Sequence, residues 1–572
     1  MQHSGAANGP EGRHGTVWNA IDWRRAGRIV RNLRGRIFRA TQANDLRKVR
    51  SLQKLMLRCY SNVLMSVRRV TQINAGKNTP GVDKLLVKTP TARGKLVDQL
   101  ATCQPWRAQP VRRVYIPKSN GKQRPLGIPT ITDRCLQAMV KQALEPEWEA
   151  RYEGSSYGFR PGRNGHDAIQ KIFNLARPMN RKKWVVDADV RSAFDAIDQD
   201  FLLRTLGDFP GRELVRQWLK AGVMEDGAFH ATDRGTPQGG VISPLLLNIA
   251  LHGMEPALGV RHNRQGEIAG KRAVVRYADD FVVFCESQED ALRVRDQLLP
   301  PWLAERGLCL AEEKTRIVHV TEGFDFLGFT VKQYHQPQTT RTGFKLLITP
   351  SKKAVARKRQ ELRELWLRLK GHNAPAVLRK LNPLIRGWAG YYRTVVAAKV
   401  FERMDTWMFH RAQRYATHQH PDKPWKWRKR RYWGRLHPRR KDDWVFGDKR
   451  SGAYLLKFSW FKIVRHIMVR GRASPDDPRL RDYWWTRRKV NIRHLSDRDV
   501  RLAESQDWAC PVCGMHLMNN EELHRHHKQP RKQGGTDALG NLELVHLYCH
   551  QQRHAKTQRG RRQSADDEPV GW

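Results

Sequence analysis

The feature that constrains the fold most is a pair of adjacent aspartates set between two apolar runs. Asp279 and Asp280 follow Val274-Val275 and precede Phe281–Phe284. Such runs favour β-strands, and two of them with a short polar segment between predict a hairpin with the acid pair near its tip. Two like charges about 4 Å apart repel by roughly 4 kcal/mol at an effective dielectric constant of about 20. A cation should offset this repulsion, and a divalent metal with oxygen ligands is the simplest candidate.

A second acidic segment, residues 184–189, lies upstream and reads WVVDAD. Alternate residues of a strand project from one face, so Asp187 and Asp189 would lie on the same side. Two such strands could bring carboxylates together around two metal ions, which would activate a 3′-hydroxyl and stabilise an in-line phosphoryl transfer. An acid pair alone is more often a solvated turn, and it is the surrounding segments that favour the metal site.

The charge of the chain points to a polyanionic partner. Lys and Arg number 105 against 56 Asp and Glu, which gives a net charge of +49. A chain this basic repels itself unless a polyanion screens it, and its cations are interleaved with aromatic residues, which favours nucleic acid over anionic lipid. No apolar run reaches about 18 residues and no secretory signal begins the sequence. We therefore expect a cytoplasmic protein without a membrane partner, associated with the nucleoid or with ribonucleoprotein.

Eight short segments follow one another along the chain in a recognisable order. They are residues 78–83, 116–129, 157–162, the acidic segment at Asp189, 235–248, 277–280, 307–315 and 324–329. In this order they resemble the reverse transcriptases encoded by group II introns, the maturase-type proteins. Residues 380–392 resemble the thumb of the same family, so the resemblance covers nearly the whole chain.

The resemblance implies roles for particular residues of a right-hand polymerase. Asp189, Asp279 and Asp280 would be the palm carboxylates that hold two Mg²⁺ ions. The residues implied to contact the incoming dNTP are Lys118, Arg124, Phe194, Gln238 and Gly239. By this analogy the two cations clamp the triphosphate, the phenylalanine rejects a 2′-hydroxyl by its bulk, and the Gln-Gly pair lets an amide and the backbone approach the nucleotide.

The implied fold is a multidomain α+β protein with polymerase fingers and palm, a helical thumb/maturase domain and a small zinc-bearing ββα-metal HNH domain. The expected segments are 1–85 (a basic helical extension and the start of the fingers), 86–345 (fingers and palm), 346–420 (thumb/maturase), 421–500 (a basic aromatic DNA-binding region) and 501–572 (HNH domain with a disordered tail). Within 425–433 four rings are interleaved with cations, and we favour phosphate contact with stacking or cation–π contact on nucleic acid over a solvated charge run.

The last segment contains two Cys/His pairs of equal spacing. Cys510 and Cys513 form a CxxC pair, and His546 and Cys549 are a second pair three residues apart. Matched pairs of this kind predict one tetrahedral, structural Zn²⁺ site.

The other histidines of this segment resemble an HNH nuclease. Those implied to bind its catalytic divalent metal are His526, His550 and His554. The last two are four residues apart and would share one face of a helix. His527 would be the general base that activates water, with Asn541 orienting it. His524 stands where many such nucleases have an acid, so a zinc-stabilised DNA-binding unit without cleavage is the alternative.

These parts together imply an RNA-directed DNA polymerase that binds its group II intron RNA and assists splicing. It would nick target DNA with the HNH domain and prime reverse transcription there during retrohoming. A splicing-only RNA-binding maturase is one alternative, against which the intact palm carboxylates argue. Another bacterial reverse transcriptase, of the retron type, is the second, and the thumb segment and the HNH unit argue against it. The sequence leaves the intron partner, the insertion site and the oligomeric state open.

Overall fold

The computed structural model describes residues 15–102, 106–117, 121, 123–263, 268–338, 340–489 and 495–555. Lys118 and the tail predicted to be disordered, residues 556–572, lie outside the described residues. The helices are α1 (Trp23–Gln42), α2 (Leu46–Arg58), α3 (Tyr60–Arg68), α4 (Pro90–Ala101), α5 (Ile131–Arg151), α6 (Gly165–Leu175), α7 (Ala193–Ala196), α8 (Gln199–Leu206), α9 (Arg212–Lys220), α10 (Ser243–Ala250), α11 (Met254–Ala257), α12 (Gln288–Arg293), α13 (Leu299–Ala304), α14 (Lys352–Arg368), α15 (Ala374–Tyr392), α16 (Ala398–Gln419), α17 (Trp425–Tyr432), α18 (Arg481–Arg488) and α19 (Asp497–Ser505). Residues 547–555 are also helical.

The strands form five small sheets. They are β1 (Val111–Pro117), β2 (Gln123–Ile128), β3 (Trp184–Asp189), β4 (Val223–Glu225), β5 (Ala228–His230), β6 (Ala273–Tyr277), β7 (Asp280–Cys285), β8 (Arg316–His319), β9 (Phe324–Phe326), β10 (Phe329–His335), β11 (Phe344–Pro350), β12 (Trp433–Gly434), β13 (Val445–Asp448), β14 (Ala453–Tyr454), β15 (Leu523–His527) and β16 (Leu542–His546). The strand orders are β2-β1-β4-β5, β6-β7-β3-β8, β11-β10-β9, β12-β13-β14 and β15-β16. The strands predicted at 111–116, 184–186 and 281–284 are confirmed.

The antiparallel sheet β6-β7-β3-β8 carries the acidic residues and is buried on both faces. Val185 of β3 and Val282 of β7 belong to a core shared with α6, β10 and the helices α14–α16. Their neighbours Val186 and Val283 belong to a second core, built with α1, α5, α8 and α10. Since successive residues of a strand point to opposite faces, the near-continuous apolar runs of these strands match burial on both sides.

Helix α5 is surrounded by the N-terminal helices α1, α2 and α3. Acidic residues of α5 face basic residues of α1 and α2: Arg34 contacts Glu145 at 2.8 Å, and Arg50 contacts Glu147 at 2.7 Å. Arg34 also contacts Asp476 at 2.7 Å, far along the chain. The positive charge of the N-terminal helices is therefore partly used to hold the fold together.

The rings of 425–433 correct one expectation from the sequence. Tyr432 and Trp433 are buried, and Tyr432 stacks on Phe446 of β13 with ring centroids 5.6 Å apart. Tyr415 of α16 lies against the same phenylalanine at 5.8 Å. These rings fasten the small sheet β12-β13-β14 to the helices before it, so they are not available for base stacking. An alternation of cations and rings is the same in sequence whether the rings stack on bases or fill a core.

The C-terminal unit is a hairpin, β15-β16, followed by the helical residues 547–555, with α19 packed against β16. Its apolar side chains belong to one core with the N-terminal helices, including Val63 and Val67 of α3 beside Leu517 and Leu544. The start and the end of the described chain therefore pack together. Among the described residues, no helix has the length and apolar character to cross a bilayer.

Candidate functional site

The predicted hairpin has Ala278 and Asp279 as its two-residue turn, because Tyr277 of β6 pairs directly with Asp280 of β7. Ala278 has φ of +59°, a conformation that favours glycine and costs a non-glycine residue on the order of 1 kcal/mol. The backbone of Gly158 packs against this turn, and a Cβ on Gly158 would lie 2.3 Å from the Ala278 nitrogen. The close approach requires glycine at position 158.

Two buried polar side chains support the hairpin turn. Arg276 on β6 donates from Nη1 to Asn248 Oδ1 at 3.0 Å and to the Ala278 carbonyl at 3.3 Å. Asn248 in turn donates from Nδ2 to the Gly158 carbonyl at 2.8 Å. Asn248 ends one of the matched segments and Arg276 immediately precedes another, but sequence reasoning gave neither a role. An arginine inside an apolar strand was the available signal, since a buried cation needs partners.

The structure brings the three predicted palm carboxylates to one end of this sheet. Asp189 ends β3 directly opposite Asp280, which begins β7, and Asp279 precedes it in the turn. Lys314 forms an ion pair with Asp189. Asp187 is paired instead with Arg316, Nε to Oδ2, at 3.0 Å.

The carboxylates shift one another's proton affinity. Burial raises the pKa of Asp279, and the nearby charge of Asp189 adds to it. Loss of hydration and the charges of Asp279 and Asp189 raise the pKa of Asp280 to about 7. Clustered acids of this kind are found where a cation binds or where protons are exchanged. Lys314 supplies a single charge to three carboxylates, and an all-oxygen donor set of this kind fits a hard divalent cation such as Mg²⁺.

The loop at 237–240 is joined to the strand that carries Arg124. Gly127 of β2 donates its N–H to the Gln238 carbonyl at 2.6 Å. Gly239 has φ of +119°, and a Cβ there would lie 2.7 Å from the Gly127 carbonyl oxygen, so only glycine fits. Arg124 is exposed on β2, and its charge lowers the pKa of Asp279 against the larger effect of burial. The predicted triphosphate cation thus acts electrostatically on one of the predicted palm carboxylates.

Phe194, the predicted sugar-contacting residue, lies on the short helix α7 that follows β3. Its ring is half-buried and makes an edge contact with Phe159, with ring centroids 6.2 Å apart. Thr236 donates its N–H to the Phe194 carbonyl at 2.6 Å, which ties α7 to the loop that contains Gln238. The predicted nucleotide-contacting residues that the structure describes, namely Arg124, Phe194, Gln238 and Gly239, therefore lie on segments joined by backbone hydrogen bonds.

The four predicted zinc ligands converge in the C-terminal unit. The ligand atoms of Cys510, Cys513, His546 and Cys549 all lie within 4.8 Å of one another, and all four residues are buried. His546 Nδ1 is 3.4 Å from Cys513 Sγ. Three thiols and one imidazole at this separation match a tetrahedral Zn²⁺ centre, in which Zn–S bonds of about 2.3 Å are usual. The donor set therefore fits the predicted metal.

The three predicted nuclease-metal ligands form a second cluster. His526 lies on β15, and His550 and His554 lie on the helical residues 547–555, with ligand atoms all within 4.8 Å of one another. Burial, helped by the charge of Arg553 and the neighbouring imidazoles, lowers the pKa of His526 to about 4. A neutral imidazole at physiological pH is the form that binds metal.

The surroundings of His527 differ from the sequence expectation. Its Nε2 is 2.7 Å from Asp537 Oδ1, a residue that sequence reasoning did not single out. Asn541, expected to orient His527, instead accepts from the Gln529 N–H at 2.8 Å and donates to the Thr536 carbonyl at 2.8 Å. Both the oxygen and the nitrogen of the Asn541 amide thus bond backbone groups. The amide therefore stabilises the loop that carries Asp537.

The position that many nucleases fill with an acid is occupied by His524, as the sequence showed. Its Nε2 is 3.3 Å from Glu522 Oε1, and its ring centroid is 5.5 Å from that of His550. An acid is thus present at this edge of the cluster, supplied from two residues earlier.

Comparison with known proteins adds four family matches along the chain. Residues 18–100 match the N-terminal domain of reverse transcriptase, and 116–331 match the family described as reverse transcriptase (RNA-dependent DNA polymerase). Residues 355–433 match the group II intron maturase-specific domain, and 510–556 match HNH endonuclease.

Curated relatives agree with these matches. The protein YkfC of Escherichia coli K12 is 36% identical over 307 residues, which cover 46% of this chain and 79% of YkfC. The group II intron-encoded protein LtrA of Lactococcus lactis is 32% identical over 295 residues, which cover 41% of this chain and 49% of LtrA. The chain thus spans most of the first relative and about half of the second. A Candida albicans telomerase structure is similar at a TM-score of 0.32, with 14% identity over 55% of this chain and 59% of the telomerase, a similarity too low to bear on the fold.

Proposed function

Because the chain belongs to the group II intron-encoded reverse transcriptases with maturase-specific and HNH endonuclease domains, we propose that it copies intron RNA into DNA from an end that its own nuclease domain makes. The single observation that carries this proposal is the pairing of Asp189 with Asp280 beside a rigid turn that presents Asp279. The partly exposed cluster of His526, His550 and His554 in the C-terminal unit supports the nicking step.

In the polymerase site, Asp189, Asp279 and Asp280 would hold two Mg²⁺ ions. When bound, such ions activate the primer 3′-hydroxyl and stabilise the leaving pyrophosphate. The turn supported by Arg276 keeps the carboxylates in a fixed direction, which limits the reorganisation needed when substrate binds. Lys314, which pairs with Asp189, would have to release it to the metal.

The nucleotide would be bound by the framework around the loop 237–240. Lys118 and Arg124 bind the triphosphate in this proposal, because guanidinium and ammonium groups suit phosphate oxygens. Gln238 and Gly239 lie along the nucleotide, where a side chain at 239 would not fit. Phe194 lies under the sugar and excludes a 2′-hydroxyl by steric contact.

In the nuclease site, His526, His550 and His554 would hold a divalent metal that stabilises the charge on the scissile phosphate. His527 donates from Nε2 to Asp537, which leaves its Nδ1 to take a proton from water. Asn541 contributes by holding the loop between Gln529 and Thr536 rather than by touching His527. Zn²⁺ at the Cys₃His cluster would be structural.

The remaining partners we propose are intron RNA, target DNA and dNTPs, in a ribonucleoprotein particle. A groove between α14 and α16 supports RNA binding by the thumb, because it is lined by Arg359, Arg363, Arg403 and Arg411 beside Trp407. Arginines beside an aromatic ring suit phosphate contact combined with stacking. The net charge of +49 would make this binding strongly dependent on salt.

Primer extension on an RNA template tests the polymerase proposal. Purified wild-type protein with Mg²⁺ and dNTPs should extend the primer, and Asp279→Ala should not. Asp296→Ala is the matched control, because Asp296 is an exposed acid paired with its neighbour Arg295 at 2.7 Å, away from the sheet end. No extension by the wild type would overturn the proposal, and equal extension by Asp279→Ala would remove the carboxylate from the mechanism.

A further inference from the structure

A buried arginine of the N-terminal helices reaches the zinc cluster of the C-terminal unit. We propose that Arg68 of α3 completes the Cys₃His centre from outside the domain that contains its ligands, so that metal loading fastens the nuclease unit to the N-terminal helices. The inference rests on the proposed zinc site. It adds Arg68, a residue of a different domain, to that site. It also gives the metal a second role, which is to join the nuclease unit to the N-terminal helices.

The contacts of Arg68 are specific to the cluster. Its side chain is 1% exposed, and Nη2 lies 3.4 Å from Cys549 Sγ and 3.2 Å from Glu521 Oε2. The guanidinium also lies over the Trp23 ring, 4.7 Å from its centroid. Arg68 and Cys549 are 481 positions apart in sequence. The arginine is thus held between a ring of its own domain and two polar groups of the other.

The charge of a loaded centre explains why a cation is needed there. Zn²⁺ with three thiolates and a neutral imidazole carries a net charge of −1, next to the carboxylate of Glu521, whose side chain is 3% exposed. Buried charges of one sign are unfavourable unless a counter-charge accompanies them. Arg68 supplies that counter-charge and donates an N–H to a ligand sulfur. With neutral thiols and no metal, it would face only Glu521.

Two nitrogen atoms of the Arg68 side chain lack hydrogen-bond partners in the part of the chain that the structure describes. Within the described residues, its Nε and Nη1 are buried without a hydrogen-bond partner. An incompletely bonded, buried guanidinium destabilises a fold unless its charge is matched nearby. The loaded centre provides the best match, so zinc binding should strengthen the whole contact between the two domains.

Other contacts surround the cluster and make it part of an interface. Gln552 donates from Nε2 to the carbonyls of Asn19 and Ile21, at 3.0 and 2.8 Å. Tyr548 donates to the Gln72 carbonyl at 2.6 Å. These bonds come from the residues on either side of Cys549, and they end on the N-terminal segment. A change in the position of the zinc ligands would therefore be transmitted to α3 and to the chain that follows it.

The test compares Arg68→Met with Arg93→Met in the full-length protein. Methionine removes the charge but keeps much of the length. Arg93 is a matched control because it is buried and lies over the ring of Trp18, a residue of the same core, yet its Nε bonds Thr71 at 3.2 Å rather than a zinc ligand. Zinc content is measured by mass spectrometry, and zinc release is followed with a chromophoric chelator. Loss of an outer contact to a metal ligand usually weakens binding about 10- to 100-fold, so Arg68→Met should release zinc at least about 10-fold faster than Arg93→Met.

Hydrogen exchange provides the second readout. In the wild type, chelation of zinc should raise exchange in residues 60–72, although none of them is a zinc ligand. In Arg68→Met, that segment should exchange faster even with zinc bound. If Arg68→Met does not fold, Arg68→Lys keeps the charge but loses the forked donor, and its zinc release should be faster than that of Arg93→Met.

The outcomes separate the two proposals. Wild-type protein that takes up no stoichiometric zinc would overturn the zinc site and this inference with it. Full zinc content with equal release from the Arg68 and Arg93 variants would overturn the inference alone. Unchanged exchange in residues 60–72 after chelation would likewise show that the metal does not fasten the two domains.

Discussion

Asp189, the last residue of β3, lies directly across the ladder from Asp280, the first residue of β7. Both carboxylates therefore leave the sheet at the same end, where the turn adds Asp279. The positions of Asp279 and Asp280 depend on how closely this turn is packed against Gly158. That dependence makes Gly158 an informative position to change.

We predict that Gly158→Ala lowers primer-extension activity by about 100-fold while the protein still folds. A Cβ would lie 2.3 Å from the Ala278 nitrogen, so the turn must shift, and displacements of about 1 Å at a reacting centre can cause losses of this size. The measurement is kcat on an RNA template, with the Tm as a check on folding. Gly540→Ala is the control, because nothing lies within 4 Å of a Cβ there. Full activity of Gly158→Ala would show that the turn tolerates movement.

We predict that Phe194→Ala raises kcat/KM for ribonucleotides by about 10- to 100-fold relative to deoxyribonucleotides. Steric exclusion by a pocket wall is worth this much discrimination, and alanine would remove the wall. Single-nucleotide incorporation with matched dNTP and rNTP measures the ratio. Phe159→Ala is the comparison, because its ring touches that of Phe194 at 6.2 Å and should change the ratio less. An unchanged ratio in Phe194→Ala would exclude this residue as the gate.

We predict that Asp537→Asn lowers DNA nicking by about 10- to 100-fold and leaves primer extension unchanged. Asp537 accepts from His527 at 2.7 Å, and the loss of an acid that orients a catalytic or metal-binding imidazole usually has an effect of at least this size. Conversion of supercoiled plasmid to nicked circle with Mg²⁺ is the assay. His527→Ala should abolish nicking. Nicking by Asp537→Asn at the wild-type rate would leave His527 without a functional partner in this loop.

We predict that Asp167→Asn destabilises the protein at neutral pH by about 1.5–3 kcal/mol, because it removes the charge of a fully buried carboxylate that accepts hydrogen bonds from partly buried Arg487 and His466. Asp167 accepts from Arg487 at 2.6 Å and from His466 at 2.9 Å. Burial raises the pKa of Asp167, but the hydrogen bond from His466 and the charge of Arg487 lower it by more.

The sign of the pH dependence follows from that lowered pKa. The stabilisation is fully present above the unfolded pKa of about 4 and is lost as the pH falls through the lower folded pKa. The Tm difference between wild type and Asp167→Asn should therefore shrink below about pH 4. Asp45→Asn, at the exposed cap of α2, should show little difference at any pH, since asparagine caps helices equally well. A Tm difference for Asp167→Asn that stays constant down to pH 3 would contradict this account.

Local patterns made much of the site predictable. The near-continuous apolar runs located β3 and β7, because strands that are buried on both faces carry apolar side chains at successive positions. The spacing of Cys510, Cys513, His546 and Cys549 grouped four ligands, because a knuckle and a helical turn each bring residues three positions apart together. These inferences needed no knowledge of the path of the chain between the elements.

Contacts between distant segments could not be read from the sequence. The bond from Arg276 to Asn248 and the contact of Arg68 with Cys549 depend on how separate helices and strands pack. Asp537 lies ten positions after His527 in an irregular loop. Such a loop has no sequence periodicity from which the direction of a side chain could be predicted. The interpretation of Tyr432 and Trp433 as base-stacking rings was wrong for a related reason, because composition describes which groups are present but not which of them are buried.

The core shared by α3 and the C-terminal unit bears on how the protein is made. The ribosome adds roughly 5–20 residues per second, so the about 440 residues between Arg68 and Cys510 take on the order of half a minute or more to synthesise. Throughout that interval α3 packs against α1, α4 and α5, but the part of its core that the C-terminal unit supplies is missing. The nascent protein therefore keeps part of this apolar surface uncovered until the C-terminal unit has been synthesised, and termination before that unit would leave the surface exposed permanently.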